Sequence, residues 1–281
     1  MRVLITGGEG QLGVALRDLF STCGEAASPG RGDLDICDRA AVERWFGGAP
    51  PDLVIHAAAW TDVDGCERDP SRAFRVNEKG ARTVAEACRR AGARLVLIST
   101  DFVFDGETER PYTEGDRPDP ISAYGRSKLA GEEAVLGTIS SALVVRTAWL
   151  YGEGGKGNFV RSILGNAAKG KALRVVADQW GSPSYTRDVA AGIVALVSSA
   201  GEGILHMVNG GEASRYDLAR AALDLSGGEE VPIEKIRSAD LNQPAPRPRR
   251  STLRSTRMEE LGLSPLRHWR EALEDHIRRS R

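Results

Sequence analysis

The feature that most constrains this chain lies at its start. A short apolar run, Arg2-Val3-Leu4-Ile5-Thr6, ends in Gly7-Gly8-Glu9-Gly10-Gln11-Leu12-Gly13, which fits G-x-x-G-x-x-G. Leu12, Ala15, Leu16 and Leu19 then recur at helical spacing as far as Phe20. A strand, a glycine turn and an amphipathic helix in that order form a unit whose backbone can approach a pyrophosphate and seat it on the helix N-terminus. A chain with 32 glycines matches loose glycine patterns by chance. The position between a strand and a helix is what gives this match its meaning.

The rest of the chain repeats the rhythm. Leu53 to Ala59 reads as a buried strand running into a loop, Ser71 to Ala91 as a long helix closed by Gly92, and Leu95 to Thr100 as a strand. Tyr124 to Leu136 reads as a helix and Leu143 to Thr147 as a strand, whereas the second strand, around Glu25 to Arg31, is poorly defined. Strands this apolar cannot face water on either side, so they predict a parallel sheet covered by helices on both faces. The expected fold is α/β, a Rossmann-type doubly wound parallel sheet with a smaller C-terminal substrate-binding lobe. Residues 1–150, with parts of 171–199, form the expected dinucleotide-binding core, and most of 151–281 the lobe. The lobe is read from a loosening of the pattern: Gly152 to Gly157 is glycine-rich, and Asn242 to Arg257 is rich in proline and arginine. A chain of 281 residues is long for one compact core and short for two independent domains.

Charge excludes some partners. With 38 basic and 39 acidic residues there is no global pull toward nucleic acid. No run is long and apolar enough to span a bilayer, and no signal peptide is expected ahead of the first strand. Cys23, Cys37, Cys66 and Cys88 contain no C-x-x-C pair, so reduced thiols and a cytoplasmic location are expected. His56, His206, His268 and His276 are scattered and suggest no metal site.

The chemistry is read from two further places. Tyr124-Gly125-Arg126-Ser127-Lys128 is a Y-x-x-x-K behind Pro118, Asp119, Pro120 and Ser122, which set a helix start. Residues four apart share a helix face, and an ammonium beside a phenol lowers its pKa from about 10. Ser99-Thr100 ends a parallel strand, where ligands of such sheets bind. The expected roles are proton transfer by Tyr124, tuning of Tyr124 and a hold on the nicotinamide ribose by Lys128, and polarisation of the substrate oxygen by Thr100. The cofactor carries the hydride, and no metal is needed. The glycine spacing also matches the short-chain dehydrogenase variant rather than G-x-G-x-x-G.

These blocks resemble the dTDP-4-dehydrorhamnose reductase family, an extended short-chain dehydrogenase/reductase family. Gly10 to Gly13, Ala57 to Asp64, Ser99 to Gly106, Tyr124 to Glu132, Arg146 to Tyr151, Asp178 to Pro183 and Arg247-Pro248 before Ser251 carry the resemblance in order along nearly the whole chain. It implies reduction of the 4-keto group of dTDP-4-dehydro-β-L-rhamnose to dTDP-L-rhamnose by NADPH, with NADH possible. The candidate cofactor residues are Gly7, Gly10, Gln11, Leu12, Gly13, Arg31, Asp35, Ile36, Ala57, Ala58, Ala59, Trp60, Thr61 and Ser99, with Tyr124 and Lys128. Arg31 is included because no acidic residue clearly ends the second strand, which leaves an arginine to meet a 2′-phosphate. The resemblance places Thr61, Val63, Thr100, Asp101 and Trp149 at the sugar nucleotide. Trp149 reads equally as core packing. Arg247 reads either as a partner for the substrate diphosphate or as part of a solvated loop. Some relatives carry glutamates at the positions of Ala15 and Arg187 that support a magnesium-linked dimer. Their replacement here predicts a monomer or a metal-independent dimer. Another sugar-nucleotide reductase or epimerase shares Tyr124 and Lys128, and a non-catalytic NADP-binding regulatory subunit of methionine adenosyltransferase is a further alternative that the full Thr100, Tyr124 and Lys128 set disfavours.

Overall fold

The computed structural model describes residues 1–21, 25–198 and 201–280; Cys23 lies outside the described residues. In chain order its principal elements are β1 (Arg2–Thr6), α1 (Gln11–Phe20), β2 (Glu25–Ala27), α2 (Arg39–Gly47), β3 (Leu53–His56), α3 (Val63–Arg68), α4 (Pro70–Phe74), α5 (Ala81–Ala91), β4 (Arg94–Thr100), α6 (Ala123–Thr138) and β5 (Leu143–Thr147). They continue as β6 (Leu150–Tyr151), α7 (Phe159–Ala167), β7 (Leu173–Val176), β8 (Trp180–Gly181), β9 (Ser184–Tyr185), α8 (Thr186–Val197), β10 (Gly203–His206), β11 (Ala213–Ser214), α9 (Arg215–Leu225), β12 (Ile233–Ile236) and α10 (Trp269–Arg279).

Six strands form one sheet in the order β10-β5-β4-β3-β1-β2, and every pairing in it is parallel. Strand order reverses beside β1, since β2 lies on one side of it and β3 on the other. That reversal opens a crevice at the carboxyl ends of the strands. The apolar alternation of each strand feeds two layers. Val3, Ile5, Ile55, Val96 and Val145 pack with Leu12 and Leu16 of α1 and Ile193 of α8. Leu4, Val54, Leu97 and Val144 face the other way, onto Val42, Val84 and Val135 of α2, α5 and α6.

The expected helix from Ser71 to Ala91 is real but not uniform. Pro70 begins it with Asp69 as cap, Arg75–Gly80 winds as a π-helical turn, and α5 completes it. Gly92 ends it in the left-handed conformation at φ 69°, as its position requires. The widened turn serves Asn77. Its amide accepts from Trp60 N at 2.8 Å and donates to Trp60 O at 3.1 Å and to Ser127 Oγ at 3.0 Å. Asn77 thereby ties the loop after β3 to α6.

The chain leaves the sheet after β5 and returns to it. Tyr151, Tyr185, Trp269 and Leu273 form a second core beyond the strand ends, and Ile163, Leu173, Val175 and Leu223 a third beside it. Between these pieces, α8 covers the sheet and β10 adds its sixth strand. The stretch 203–206 lies outside the segments that the sequence assigns to the core. Residues 152–157 cross back over the glycine turn, where Gly155 N donates to Glu9 O at 3.2 Å and Gln11 Nε2 to Gly157 O at 3.3 Å. Among the described residues no helix is long and apolar enough to cross a membrane.

One buried ion pair joins three elements under the strand ends. Arg146 of β5 grips Glu132 of α6 through Nε at 3.0 Å and Nη2 at 2.6 Å, and Ser99 of β4 donates to the same carboxylate. The two charged side chains are only 1% and 3% exposed, so each depends on the other. Glu132→Ala strands a guanidinium in the core and is expected to cost about 3–5 kcal/mol. Glu132→Leu combined with Arg146→Met removes both charges and is expected to recover most of that loss. Urea unfolding of the two variants measures both.

Candidate active site

The site begins at the glycine turn. Gly7 adopts φ 74°, and a Cβ on Gly13 would fall 2.2 Å from the Gly7 carbonyl oxygen. The turn therefore closes only with glycine at these positions. Gly10, the N-cap of α1, offers no side-chain cap, which leaves the first amides of the helix directed at the crevice. Backbone brought this close to a bare helix N-terminus fits a pyrophosphate.

The crevice is a cleft of about 520 Å³ running from the glycine turn past the ends of β3 and β4 to Trp149. It is lined by every cofactor, catalytic and substrate candidate read from the sequence except Arg247. Arg31 stands at its rim, largely exposed and 3.9 Å from Asp35. Arg247 does not line the cleft. Its guanidinium is held in a fork by Asp64, with both contacts at 2.9 Å.

At the centre, Ser122 caps α6 by accepting from Gly125 N at 3.1 Å and sets Tyr124 in the first turn. The Tyr124 hydroxyl lies near that of Thr100 at the end of β4. Burial pushes its pKa well above the phenol's ordinary value, and the neighbouring Thr100 hydroxyl opposes that only in part. The expected depression of the phenol by Lys128 is not what the structure shows. Lys128 Nζ donates to the Ile98 carbonyl at 2.7 Å, and burial pulls its own pKa down to about 8. Sharing a helix face is thus insufficient, because Lys128 spends a hydrogen bond on the adjacent strand. Thr100 Oγ1 also donates to Asp101 at 3.0 Å, and Ser251 donates to the other carboxylate oxygen. Burial raises Asp101 to about 6 against those two hydrogen bonds and the nearby charge of Arg215.

Arg215 is a cleft residue that the sequence does not reveal. It opens α9 behind the Ser214–Asp217 capping box and lies 3.5 Å over the ring of Trp149. Arg72, stacked 4.2 Å over Trp60, is another. Neither has a motif around it, because each is defined by a ring contributed from elsewhere in the chain. Trp149 is the sole non-glycine residue with positive φ among those described, at 45°. Its ring fills the space against Gly181, where a Cβ would come within 2.4 Å of the indole. Trp149 packs one edge in the lobe and lines the cleft with the rest of its ring.

A glycine turn at the switch point of a parallel sheet, with threonine, tyrosine and lysine beside it, defines an extended short-chain dehydrogenase/reductase. A family model described as RmlD substrate binding domain matches residues 1–281. The chain is 42% identical over 279 residues to a dTDP-4-dehydrorhamnose reductase of Mycolicibacterium smegmatis, covering 98% of this chain and 85% of that one. It is also 42% identical over 279 residues to a dTDP-4-keto-6-deoxy-D-glucose reductase of Streptomyces niveus, covering 97% and 95% of the two chains. A solved dTDP-4-dehydrorhamnose reductase from Bacillus anthracis, in complex with NADP, superposes with a TM-score of 0.96 at 34% identity over 99% of each chain. The chain belongs to the dTDP-4-dehydrorhamnose reductase family.

His56 gives the site a pH signature. It is buried at the end of β3, its Nδ1 shares a hydrogen bond with Thr6 Oγ1 at 2.7 Å, and burial beside Lys128 lowers its pKa from 6.5 to about 3. As pH falls through 6.5, the unfolded chain gains a proton that the folded chain refuses until about 3. Stability is therefore lost across that window. Between pH 7 and pH 5 this one residue is expected to cost about 2 kcal/mol. His56→Gln should flatten the slope of stability against pH by that amount, measured as urea midpoints at the two pH values.

Proposed function

We propose that this chain reduces the 4-keto group of dTDP-4-dehydro-β-L-rhamnose to give dTDP-L-rhamnose, with NADPH as the preferred reductant and NADH usable. The observation that carries the reading is the Thr100–Tyr124 hydroxyl pair at the end of β4, in the same cleft as a glycine turn shaped for a pyrophosphate. Residues of the turn and of Ala57 to Thr61 hold the dinucleotide. Asp35, Ile36 and Ser99 border it, and Arg31 takes the 2′-phosphate. Bound NADPH supplies a hydride.

The chain's own residues manage the oxygen. Thr100 orients the carbonyl, and Tyr124 donates its phenolic proton to the oxygen as negative charge develops there. A phenol whose pKa burial has raised keeps that proton at neutral pH. The alkoxide forming on the sugar is a far stronger base than a phenolate, so transfer remains downhill. Lys128 brings a positive charge to the cleft floor, held there by its hydrogen bond to the Ile98 carbonyl. Thr61, Val63, Asp101 and Trp149 border the sugar nucleotide. The reading needs no metal: Ala15 carries no ligand, and Arg187 faces Glu153 at 3.9 Å. A monomer or a metal-independent dimer follows.

A second reading keeps the reaction and changes the sugar, because the Streptomyces niveus relative is named for a keto sugar of the D-glucose series. Incubation with NADPH and dTDP-4-dehydrorhamnose, followed by identification of the product sugar, decides between the two. No oxidation of NADPH with either ketosugar would overturn both.

Tyr124→Phe removes the proton donor and keeps the ring. Its kcat is expected to fall by about 10²–10⁴-fold with NADPH affinity retained, measured by steady-state kinetics and cofactor titration. Arg31→Ala is expected to raise KM for NADPH by about tenfold and leave KM for NADH near its original value. Equal effects on the two cofactors would remove Arg31 from the 2′-phosphate.

A further inference from the structure

The cleft holds two arginines, Arg72 and Arg215, whose guanidiniums have no hydrogen bond or ion pair among the described residues, and Arg215 is the one that lies beside Trp149. Arg215 is half-buried and lies flat on Trp149 at 3.5 Å, with Phe159 at 5.2 Å on its flank. Among the described residues its guanidinium has no hydrogen bond and no ion pair. A stack on an aromatic face occupies the plane of a guanidinium and leaves its in-plane fork of donors directed sideways, the geometry that meets two oxyanions at once. Its backbone is fixed by the capping box of α9, and its shelf by the backbone of Trp149 at φ 45°. An arginine held rigid on both sides and left without an acceptor is placed for an anion that arrives from outside.

The sheet says which anion. The dinucleotide pyrophosphate belongs to the glycine turn after β1. Arg215 lies with Asp101, which follows β4, and Trp149, which follows β5. Neighbouring strands are about 4.8 Å apart, so two strand spacings, roughly 10 Å, separate the ends of β1 and β4. Three other cations of the region are engaged. Arg247 is forked by Asp64, Lys128 donates to Ile98, and Arg31 faces Asp35. Arg72 lies on Trp60 in the loop after β3, the strand next to β1, and so on the dinucleotide's side of the cleft.

We infer that Arg215, on its Trp149 shelf, is the residue that holds the diphosphate of the sugar nucleotide. The inference rests on the sugar-nucleotide reading above and moves the diphosphate contact from Arg247 to Arg215. It also gives Asp101 a part. The carboxylate faces Arg215 across the substrate end of the cleft, and each moderates the charge of the other. Burial lowers Arg215 to about 10, so it remains a cation at neutral pH.

The test compares wild type, Arg215→Met and Arg215→Lys by calorimetric titration with dTDP, dTMP and NADP⁺, beside steady-state kinetics with the ketosugar. Arg215→Met keeps bulk on the indole and removes the fork. It is expected to weaken dTDP binding on the order of 10–100-fold, to narrow the gap between dTDP and dTMP, and to leave NADP⁺ binding unchanged. Arg215→Lys should fall between the two. KM for the ketosugar should rise with kcat within a few-fold, a split that a merely structural role would not produce. Unchanged dTDP affinity in a folded variant overturns the inference, and so does equal weakening of dTDP and NADP⁺. If Arg215→Met does not fold, the same comparisons are read on Arg215→Lys. Wild-type binding of dTDP without turnover of either ketosugar would remove the reaction and leave the diphosphate contact standing. Turnover by wild type with an indifferent Arg215→Met would do the reverse.

Discussion

The guanidinium of Arg146 lies in the interior, where an unpaired charge is prohibitively expensive, and Glu132 answers it. Much of the site depends on that pairing. β5, which carries Arg146, runs on to Trp149. α6, which carries Glu132, presents Tyr124 and Lys128 two turns and one turn earlier. β4 contributes Ser99 to the same carboxylate and ends in Thr100. Three elements from separate parts of the chain are thus registered by one carboxylate, and two of them, β4 and α6, carry the three groups assigned to the proton step. A hydrophobic contact of equal area would hold these elements together without fixing their rotation, because it has no directional preference.

A second tie works from the opposite side. The π-helical turn at Arg75–Gly80 inserts one residue into the helical rhythm and swings Asn77 toward the loop after β3. There it satisfies both backbone groups of Trp60 and reaches Ser127 on α6. On α6 itself, Gly131 has no room for a side chain, because a Cβ would lie 2.3 Å from the Asn77 carbonyl oxygen. Widened turns of this kind are frequent at functional sites, where they re-aim a side chain that regular winding would point elsewhere. The cleft wall formed by Ala57 to Thr61 is held through this contact.

What the sequence discloses divides along physical lines. The glycine turn, the Ser122 cap, the Tyr124–Lys128 spacing and the apolar strands are local patterns, and each stands in the structure where its spacing puts it. Groups defined by partners far along the chain are hidden. Arg247 carries a family motif, yet its partner is Asp64, and nothing near either residue announces the pair. Arg215 looks like the first residue of a helix, and the ring of Trp149 beneath it comes from another element. Lys128 illustrates the intermediate case: its place on the helix face was readable, but its hydrogen bond to Ile98 was not. The π turn escaped because a one-residue slip barely alters an apolar periodicity. β2 escaped because an edge strand of three residues, Glu25–Ala27, carries little pattern. β10 offered only Ile204 and Leu205 to read.

The late arrival of β10 bears on how the chain can be made. β5 pairs with β4 on one edge and with β10 on the other, and Gly203–His206 lies beyond much of the lobe. A chain emerging from the ribosome completes β1 to β5 well before the strand that covers them exists. Until then the backbone of Leu143–Thr147 is an open, apolar edge of the kind that pairs with other chains. The helix that shields the same face, α8, is synthesised in that same late stretch. The nascent molecule thus passes through an interval in which its most adhesive surface is finished and its cover is not, and a chaperone or a slow passage through residues 148–202 would act on that interval.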